Sequence, residues 1–287
     1  MLGIIGGSGI YDIPGLVIDE EVSRETPFGQ PSGPIRLGKL GQSRLAFVAR
    51  HGEGHRWSPS DVPYRANIYG LKQLGVTHLL SVSAVGSLRE ELPPRRLVLP
   101  DQIIDRTVSR PRTFFDGRVV AHVGLADPYC PLLRDAVADI GAAVGNEMSP
   151  TGTYICIEGP QFSTRAESNL YRSWGASVIG MTAMPEARLA REAELCFATL
   201  ALVTDYDVWH DAEVDVSVEM VVANLRSTSA AAAKIINGLA DRGLPSRSCR
   251  CGEALRNAVM SSPAVATVAD WDRLGVIGQR YRPTGEG

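Results

Sequence analysis

Short apolar runs, each ended by glycine or a small polar residue, alternate along this chain with longer stretches whose apolar residues recur at helical spacing. Residues 2–7 form the first run and end in Gly6-Gly7-Ser8-Gly9, the pattern of a buried strand feeding a tight turn. Residues 35–39 and 44–50 read as a hairpin across Leu40-Gly41-Gln42, and residues 62–74 as a helix closed by Gly75. Further strands are predicted at 78–83, 97–104, 153–158, 178–182 and 197–205. Helices are predicted at 131–143, 165–174, 185–195 and 218–241, with Pro185 suited to a first helical position and Gly243 to a stop. Such alternation predicts an α/β fold, with a mixed central sheet, partly closed as a barrel, flanked by helices. Nothing divides the chain before Gly243, so residues 1–243 read as a single domain. Residues 244–287 read as an extension with one short helix at 253–260 and a flexible end from residue 280.

Composition narrows the function classes. The 287 residues carry 29 basic and 32 acidic side chains, a net charge of −3, which gives no electrostatic case for binding nucleic acid. Hydrophobic residues make up 44% of the chain, in runs too short to span a bilayer, so a membrane partner is not expected either. The start Met-Leu-Gly-Ile-Ile lacks a basic segment and a cleavage site, and the chain is expected to be cytoplasmic. All but three of the basic residues are arginine, the lysines being Lys39, Lys72 and Lys234, which argues against lysine chemistry. The five cysteines, at 130, 156, 196, 249 and 251, have spacings unlike a secreted disulfide framework or a zinc site.

Chemistry gathers at strand ends. Gly6-Gly7-Ser8-Gly9 suits close approach of backbone N–H groups to phosphate oxygens, yet Asp12 stands where a dinucleotide fingerprint needs its third glycine, and no P-loop occurs. Arg50-His51-Gly52 follows an apolar strand and places two anion donors where α/β sheets hold ligands; a surface salt bridge is the alternative. The runs ending at Ser83-Ala84 and at Met181-Thr182 repeat the theme. Several strand ends offering small donors imply a site for a polyanion or a sugar, built without a metal. Thr204-Asp205-Tyr206-Asp207 closes the most apolar run, 197–203, with two carboxylates on one side of an extended chain. There they would meet a purine's amino group and N7, or else cap the next turn.

Together these stretches resemble the 5′-methylthioadenosine phosphorylases, within the trimeric purine nucleoside phosphorylase family. The resemblance runs over residues 3–243 and is carried by Gly3-Ile-Ile-Gly-Gly-Ser-Gly9, Thr26-Pro-Phe-Gly29, Ala49-Arg-His-Gly52, Gly86-Ser-Leu-Arg-Glu90, Ile157-Glu-Gly-Pro-Gln-Phe-Ser163, Met181-Thr-Ala-Met-Pro-Glu186 and Thr204-Asp-Tyr-Asp-Val-Trp209. It implies an enzyme that uses phosphate as co-substrate, needs no cofactor or metal, and releases adenine through an oxocarbenium-like transition state. By similarity, phosphate is held by Ser8, Arg50, His51, Ser83, Ala84 and Thr182, and the base and ribose by Phe162, Ser163, Met181, Asp205 and Asp207. The resemblance implies that Asp205 shares a proton with N7 and that Asp207 accepts from the 6-amino group. Val218 and Val221, with His122 from a neighbouring subunit, would line the 5′ pocket of a homotrimer or a dimer of trimers. Both valines also fit the buried face of a long helix with Leu225 and Ile236.

Relatives acting on 6-oxopurines carry glutamate at the place of Ser163 and asparagine at that of Asp205, so both choices here favour adenine. A phosphorylase of broader range, acting on adenosine, inosine or methylthioinosine, is the nearest rival, and a nucleoside-binding protein without turnover a more distant one. Where relatives have asparagine before the Met-Thr pair this chain has Gly180, so a polar contact is expected to be missing or replaced by water. Some family members from hot environments resemble this chain in a tail motif like Cys249-Arg250-Cys251, for which the readings are a strained, reducible bridge between the two cysteines or two free exposed thiols.

Overall fold

The computed structural model describes residues 1–7, 10, 13–210, 218–262 and 264–283, with the side chains of 218–223 and 226 left out of the description. Among these residues eleven strands form one mixed sheet. They are β1 (Leu2–Gly6), β2 (Val17–Val22), β3 (Ile35–Leu40), β4 (Ser43–Ala49), β5 (His78–Ser87), β6 (Leu97–Val98), β7 (Gln102–Arg106), β8 (Met148–Ser149), β9 (Thr153–Ile157), β10 (Val178–Gly180) and β11 (Cys196–Asp205). The helices are α1 (Tyr64–Gln73), α2 (Pro131–Ala143), α3 (Arg165–Ser173), α4 (Ala183–Glu192), α5 (Val218–Arg242) and α6 (Val268–Leu274).

The order along the sheet is β2-β3-β4-β1-β5-β10-β9-β7, and β11 branches off β5 to carry β6 and β8. The expected mixed sheet flanked by helices is present. Its partial closure into a barrel is not: β2 and β7 end the path without pairing, and the sheet stays open among the described residues. The branch comes from β5, whose residues His78 to Gly86 pair in parallel with β11 while Gly86 and Ser87 pair antiparallel with β10. Strands enclosed in this way lose most solvent-facing positions, hence the largely apolar composition of β11 and the burial of all ten of its residues, while β5, buried at eight of ten positions, carries its serines inward.

Local chemistry accounts for most boundaries. Pro131 opens α2 at its first position, Thr164 and Glu167 form a reciprocal capping box on α3, and Gly75 at φ 86° turns the chain out of α1. Met184 at φ −113°, ψ 134° interrupts α4, so the regular helix starts at Pro185, as its sequence predicts. Expectation and structure part elsewhere. The run 97–104 splits into β6 and β7. Strand β2 carries no apolar signature because its Asp19, Glu20 and Glu21 lie in an almost wholly exposed edge.

In the extension, the helix expected at 253–260 is replaced by a 3-10 turn at Arg250–Glu253, and the true helix is α6, with its own Thr267/Asp270 capping box. The extension packs onto the main core through Leu255, Trp271, Leu274 and Ile277, and residues expected to be flexible include a 3-10 turn at Gln279–Tyr281. No helix among the described residues is long and apolar enough to cross a membrane.

Candidate active site

Strands β4, β1, β5 and β11 lie side by side and parallel, so their carboxyl ends open on one edge. Ligands of open α/β sheets bind at such an edge. Arg50, first residue past β4, is 1% exposed, far from the surface salt bridge that its sequence alone allows. Its Nε donates to Glu186 Oε1 at 2.6 Å and Nη2 to Oε2 at 3.2 Å, while Nη1 donates to the Val82 carbonyl and Nη2 to Ser81 Oγ. Ser81 Oγ in turn donates to Glu186 Oε2 at 2.7 Å. Burial opposes the guanidinium charge, but the Glu186 carboxylate outweighs it and holds the Arg50 pKa above its ordinary value. Of five N–H groups the described bonds use four, which leaves one Nη1 hydrogen for an anion.

The antiparallel register of β10 on β5 pairs Val178 with Ser87 and Ile179 with Gly86, and the same register continued to four residues past Val178, just beyond the end of β10, brings Thr182 level with Ser83. Their hydroxyls lie 3.1 Å apart, both buried, with Ala84 next in the chain. Thr182 is the residue before α4 yet makes no capping bond, so its hydroxyl is free to face the site. A third hydroxyl joins them: Tyr154 OH lies 3.3 Å from Ser83 Oγ. It occupies the space beside Gly180, where an added Cβ would fall 1.9 Å from the Tyr154 oxygen. The space a side chain at Gly180 would take is thus filled from β9. Tyr154 is fully enclosed, and burial pushes its pKa up, keeping the phenol neutral.

His51 is buried, stacked on His55 at 4.1 Å, and its Nδ1 lies 2.8 Å from the Trp57 carbonyl oxygen. A carbonyl can only accept, so Nδ1 carries the proton. Burial, aided by the adjacent Arg50, pushes the His51 pKa down to about 3. The ring is neutral at pH 7 and Nε2 presents a lone pair. The expected extra donor is instead an acceptor, matched to the P–OH of hydrogen phosphate rather than to a bare oxyanion.

Asp205 and Asp207 do come together, though not by strand alternation. The register of β11 on β5 shifts between Val203 and Asp205, and Asp207 follows at φ 54°, in the left-handed region. Asp205 Oδ2 accepts from Thr204 Oγ1 at 2.7 Å and Oδ1 from the Asp207 N–H at 2.8 Å, so the turn-capping alternative holds for Asp205. Asp207 Oδ2 is buried with no hydrogen-bond partner among the described residues, and the same is true of Ser163 Oγ and Ser168 Oγ. Burial raises the Asp207 pKa, and the Ser168 hydroxyl and the Val208 N–H, which lie near the carboxylate without bonding Oδ2, act in the opposite direction. Gly86 makes the approach possible: a Cβ there would stand 2.8 Å from Asp205 Oδ1.

One organising residue has no signature in the sequence. Arg110 has a fully buried side chain and donates to the carbonyls of Met181 (2.6 Å), Met184 (2.7 Å), Ile157 (3.3 Å) and Glu158 (2.6 Å), and to Tyr64 OH. It ties the loop after β9, which carries Phe162 and Ser163, to the loop after β10, which carries Met181 and Thr182. The Phe162 ring is 47% exposed, a face ready to be covered by a planar base. Glu186 and Tyr154 were missed for the same reason as Arg110: nothing in their local pattern separates them from ordinary helix and strand residues.

Other expected site residues are placed less directly. His122 is exposed on a segment bonded to the extension, its N–H donating to the Ala258 carbonyl at 2.8 Å. Ser8 and the side chains of Val218 and Val221 lie outside the described residues. The Cys249–Cys251 bridge is not formed: all five cysteines are free, and Cys249 Sγ lies 3.5 Å from Cys196 Sγ and 3.7 Å from Cys130 Sγ.

The sequence profile of the phosphorylase superfamily matches residues 1–241. S-methyl-5′-thioadenosine phosphorylase of Geobacter sulfurreducens is 51% identical over 96% of this chain and 97% of its own, and that of Koribacter versatilis 49% identical over 98% and 96%. Among solved structures, a methylthioadenosine phosphorylase from an Antarctic soil metagenomic library superposes with a TM-score of 0.88 at 46% identity, covering 96% of this chain and 98% of that one. The Schistosoma mansoni enzyme in complex with adenine gives a TM-score of 0.81 at 34% identity, covering 84% and 91%.

Proposed function

This chain belongs to the phosphorylase superfamily, and on that premise we propose that it cleaves 5′-methylthioadenosine with inorganic phosphate, giving adenine and 5-methylthioribose 1-phosphate. The observation that carries the reading is the presence, at the end of β5, of both a hydroxyl-lined anion site and a buried carboxylate whose Oδ2 makes no hydrogen bond among the described residues. The Ser83 and Thr182 hydroxyls lie 3.1 Å apart, and at the end of the same strand Asp207, whose Cβ packs close to Gly86, has a buried Oδ2 with no hydrogen bond among the described residues. An unpaired buried acceptor is costly, and a purine 6-amino group would satisfy it.

In this reading hydrogen phosphate donates its hydroxyl to His51 Nε2 and accepts from Ser83, Thr182, the Ala84 N–H, Ser8 and the remaining Arg50 hydrogen. A phosphate oxygen attacks C1′ as the bond from C1′ to N9 breaks and its electron pair passes to the base. Asp205 delivers a proton to N7, and the negative phosphate stabilises the cationic sugar. In the free chain Asp205 accepts two hydrogen bonds, which favour its ionised form, so it takes up the proton as the purine enters and excludes water. Met181 supports the ribose, Phe162 covers the base, and Ser163 avoids the charge of a glutamate. Val218, Val221 and the neighbouring subunit's His122 enclose the 5′ group in a homotrimer or dimer of trimers. The scheme calls for no cofactor, and the setting we propose is cytoplasmic purine and methionine salvage.

Adenosine is the second substrate to test, because solved relatives from Schistosoma mansoni are described as adenosine/methylthioadenosine phosphorylase. Chromatography of methylthioadenosine incubated with the protein should reveal free adenine only when phosphate is added. No adenine under those conditions refutes the proposal, and inosine turned over as fast as methylthioadenosine refutes the two-aspartate account of base choice.

A further inference from the structure

We infer that Cys130, Cys196, Cys249 and Cys251 bind one zinc ion, which fastens the C-terminal extension to the main domain. The four sulfurs come from three separate parts of the chain. Cys130 directly precedes Pro131 at the start of α2, Cys196 opens β11, and Cys249 and Cys251 flank Arg250 at the 3-10 turn of the extension. Each offers one sulfur, and all four sulfurs lie within 4.8 Å of one another. The contacts of Cys249 with Cys196 and with Cys130, 3.5 and 3.7 Å, are far longer than the roughly 2.05 Å of a disulfide. They match the edge of a sulfur tetrahedron, about 3.8 Å, around an ion at the usual zinc–sulfur distance of about 2.3 Å.

The surroundings suit a closed, structural site. Cys130, Cys196 and Cys251 are buried and Cys249 half-buried, all against one apolar cluster that includes Leu133, Val137 and Ala198. Four thiolates complete the tetrahedron and leave no open coordination position. Four thiolates around Zn²⁺ leave two negative charges, and two features offset them. Cys130 stands at the N-terminus of the thirteen-residue α2, where free N–H groups favour an anion, and Arg191 Nη1 donates to Cys251 Sγ at 3.7 Å. The contrast with Cys156 is informative: that thiol lies alone in the other core cluster, accepting from the Met184 N–H at 3.3 Å. Linear spacing conceals such a site because only the last two ligands are near neighbours in sequence, and the assignment proposed here replaces the expectation drawn from spacing.

The ion would hold residues 249–251 against α2 and β11, and the chain beyond pairs with the segment that bears His122. Met260 N–H donates to the Val120 carbonyl and His122 N–H to that of Ala258, both at 2.8 Å. The full chain, expressed with zinc in the medium and purified without chelator or a metal-affinity step, should contain about one zinc per chain by mass spectrometry of the elements. Alkylation of the native protein should leave Cys249, the most exposed of the five thiols, unmodified until chelator is added, and alkylation after denaturation with chelator should find all five. Zinc should be lost in Cys249→Ser and Cys251→Ser and kept in Cys156→Ser. A folded wild-type protein with less than about a tenth of an equivalent of zinc, or with iron in its place, overturns the assignment. So does an intact mass lower by two hydrogens for each bridge formed among the four cysteines. The wild-type measurements decide the matter even where a serine variant does not fold.

Discussion

The phenol oxygen of Tyr154 fills the place of a side chain at Gly180: a Cβ added there would lie 1.9 Å from the oxygen and 2.7 Å from Cζ. The two positions therefore act as one unit. Gly180→Ala should cost about 1–3 kcal/mol in thermal or denaturant unfolding, the range for overpacking a tight core. In a Tyr154→Ala background the same change should be nearly free, a coupling read from a double-mutant cycle. Additive costs would mean that the two residues do not compete for the space.

Tyr154 also touches the anion site through Ser83. Tyr154→Phe keeps the ring and removes one neutral hydrogen bond, worth about 0.5–1.5 kcal/mol. The KM for phosphate should rise by about two- to tenfold while the KM for the nucleoside changes little. Equal changes in both would place the hydroxyl nearer the sugar than the phosphate.

Asp205→Asn should lower kcat on methylthioadenosine by about 10²–10⁴-fold, the usual contribution of a positioned general acid, because an amide has no proton to share with N7 in the required way. The amide oxygen can still accept from the Asp207 N–H, and the Thr204 hydroxyl, which can turn its hydrogen to the Val85 carbonyl, can accept from the amide NH2, so the fold should be kept. Relative turnover of inosine should rise at the same time. An unchanged rate on methylthioadenosine removes Asp205 from the proton path.

What was legible in the sequence, and what was not, follows from how each residue does its work. Arg50, His51, Ser83 and Thr182 stand out because polar groups at the end of an apolar strand are uncommon there without a task. The sheet then gathers them by register alone, as the pairing of Val178 with Ser87 gathers Thr182 and Ser83. Glu186 and Arg110 do not stand out: a glutamate in the first turn of a helix and an arginine in a Pro/Arg loop are ordinary until folding buries them. The proton on His51 Nδ1 is decided by the Trp57 carbonyl, six residues away across a turn, and no local pattern shows it. Among the 26 arginines, Arg110 joins Arg50 as one whose burial sets the site's geometry.

Neutral His51 makes a specific contribution to acid sensitivity. Its folded-state pKa of about 3 lies below the ordinary 6.5, so between those values the unfolded chain binds a proton that the folded chain refuses. Stability from this group is complete above pH 6.5 and is lost as the pH falls toward 3, by at most about 1.4 kcal/mol per pH unit. Substituting His51→Gln should flatten the unfolding free energy against pH in that window and leave its slope above pH 7 unchanged. An identical slope in both proteins from pH 6.5 to 4 would contradict a neutral, buried His51.

The ion pair of Arg50 with Glu186 separates stability from catalysis. Both side chains are 1% exposed and bonded twice, so Glu186→Ala leaves a buried guanidinium without its counter-charge, at a cost of about 3–5 kcal/mol. Arg50→Ala leaves the carboxylate in the same position, at a similar cost. Replacing the pair together, as Arg50→Met with Glu186→Leu, removes both charges while roughly conserving volume. The double variant should recover most of the lost stability, since two buried charges that attract each other are often no more stabilising than apolar groups of like shape. Phosphate binding should not recover, because the only Nη1 hydrogen left for the anion is gone. Unfolding midpoints and the KM for phosphate, measured on the three variants, distinguish this from a purely structural pair: recovery of both quantities together would show that Arg50 holds the fold and never meets phosphate.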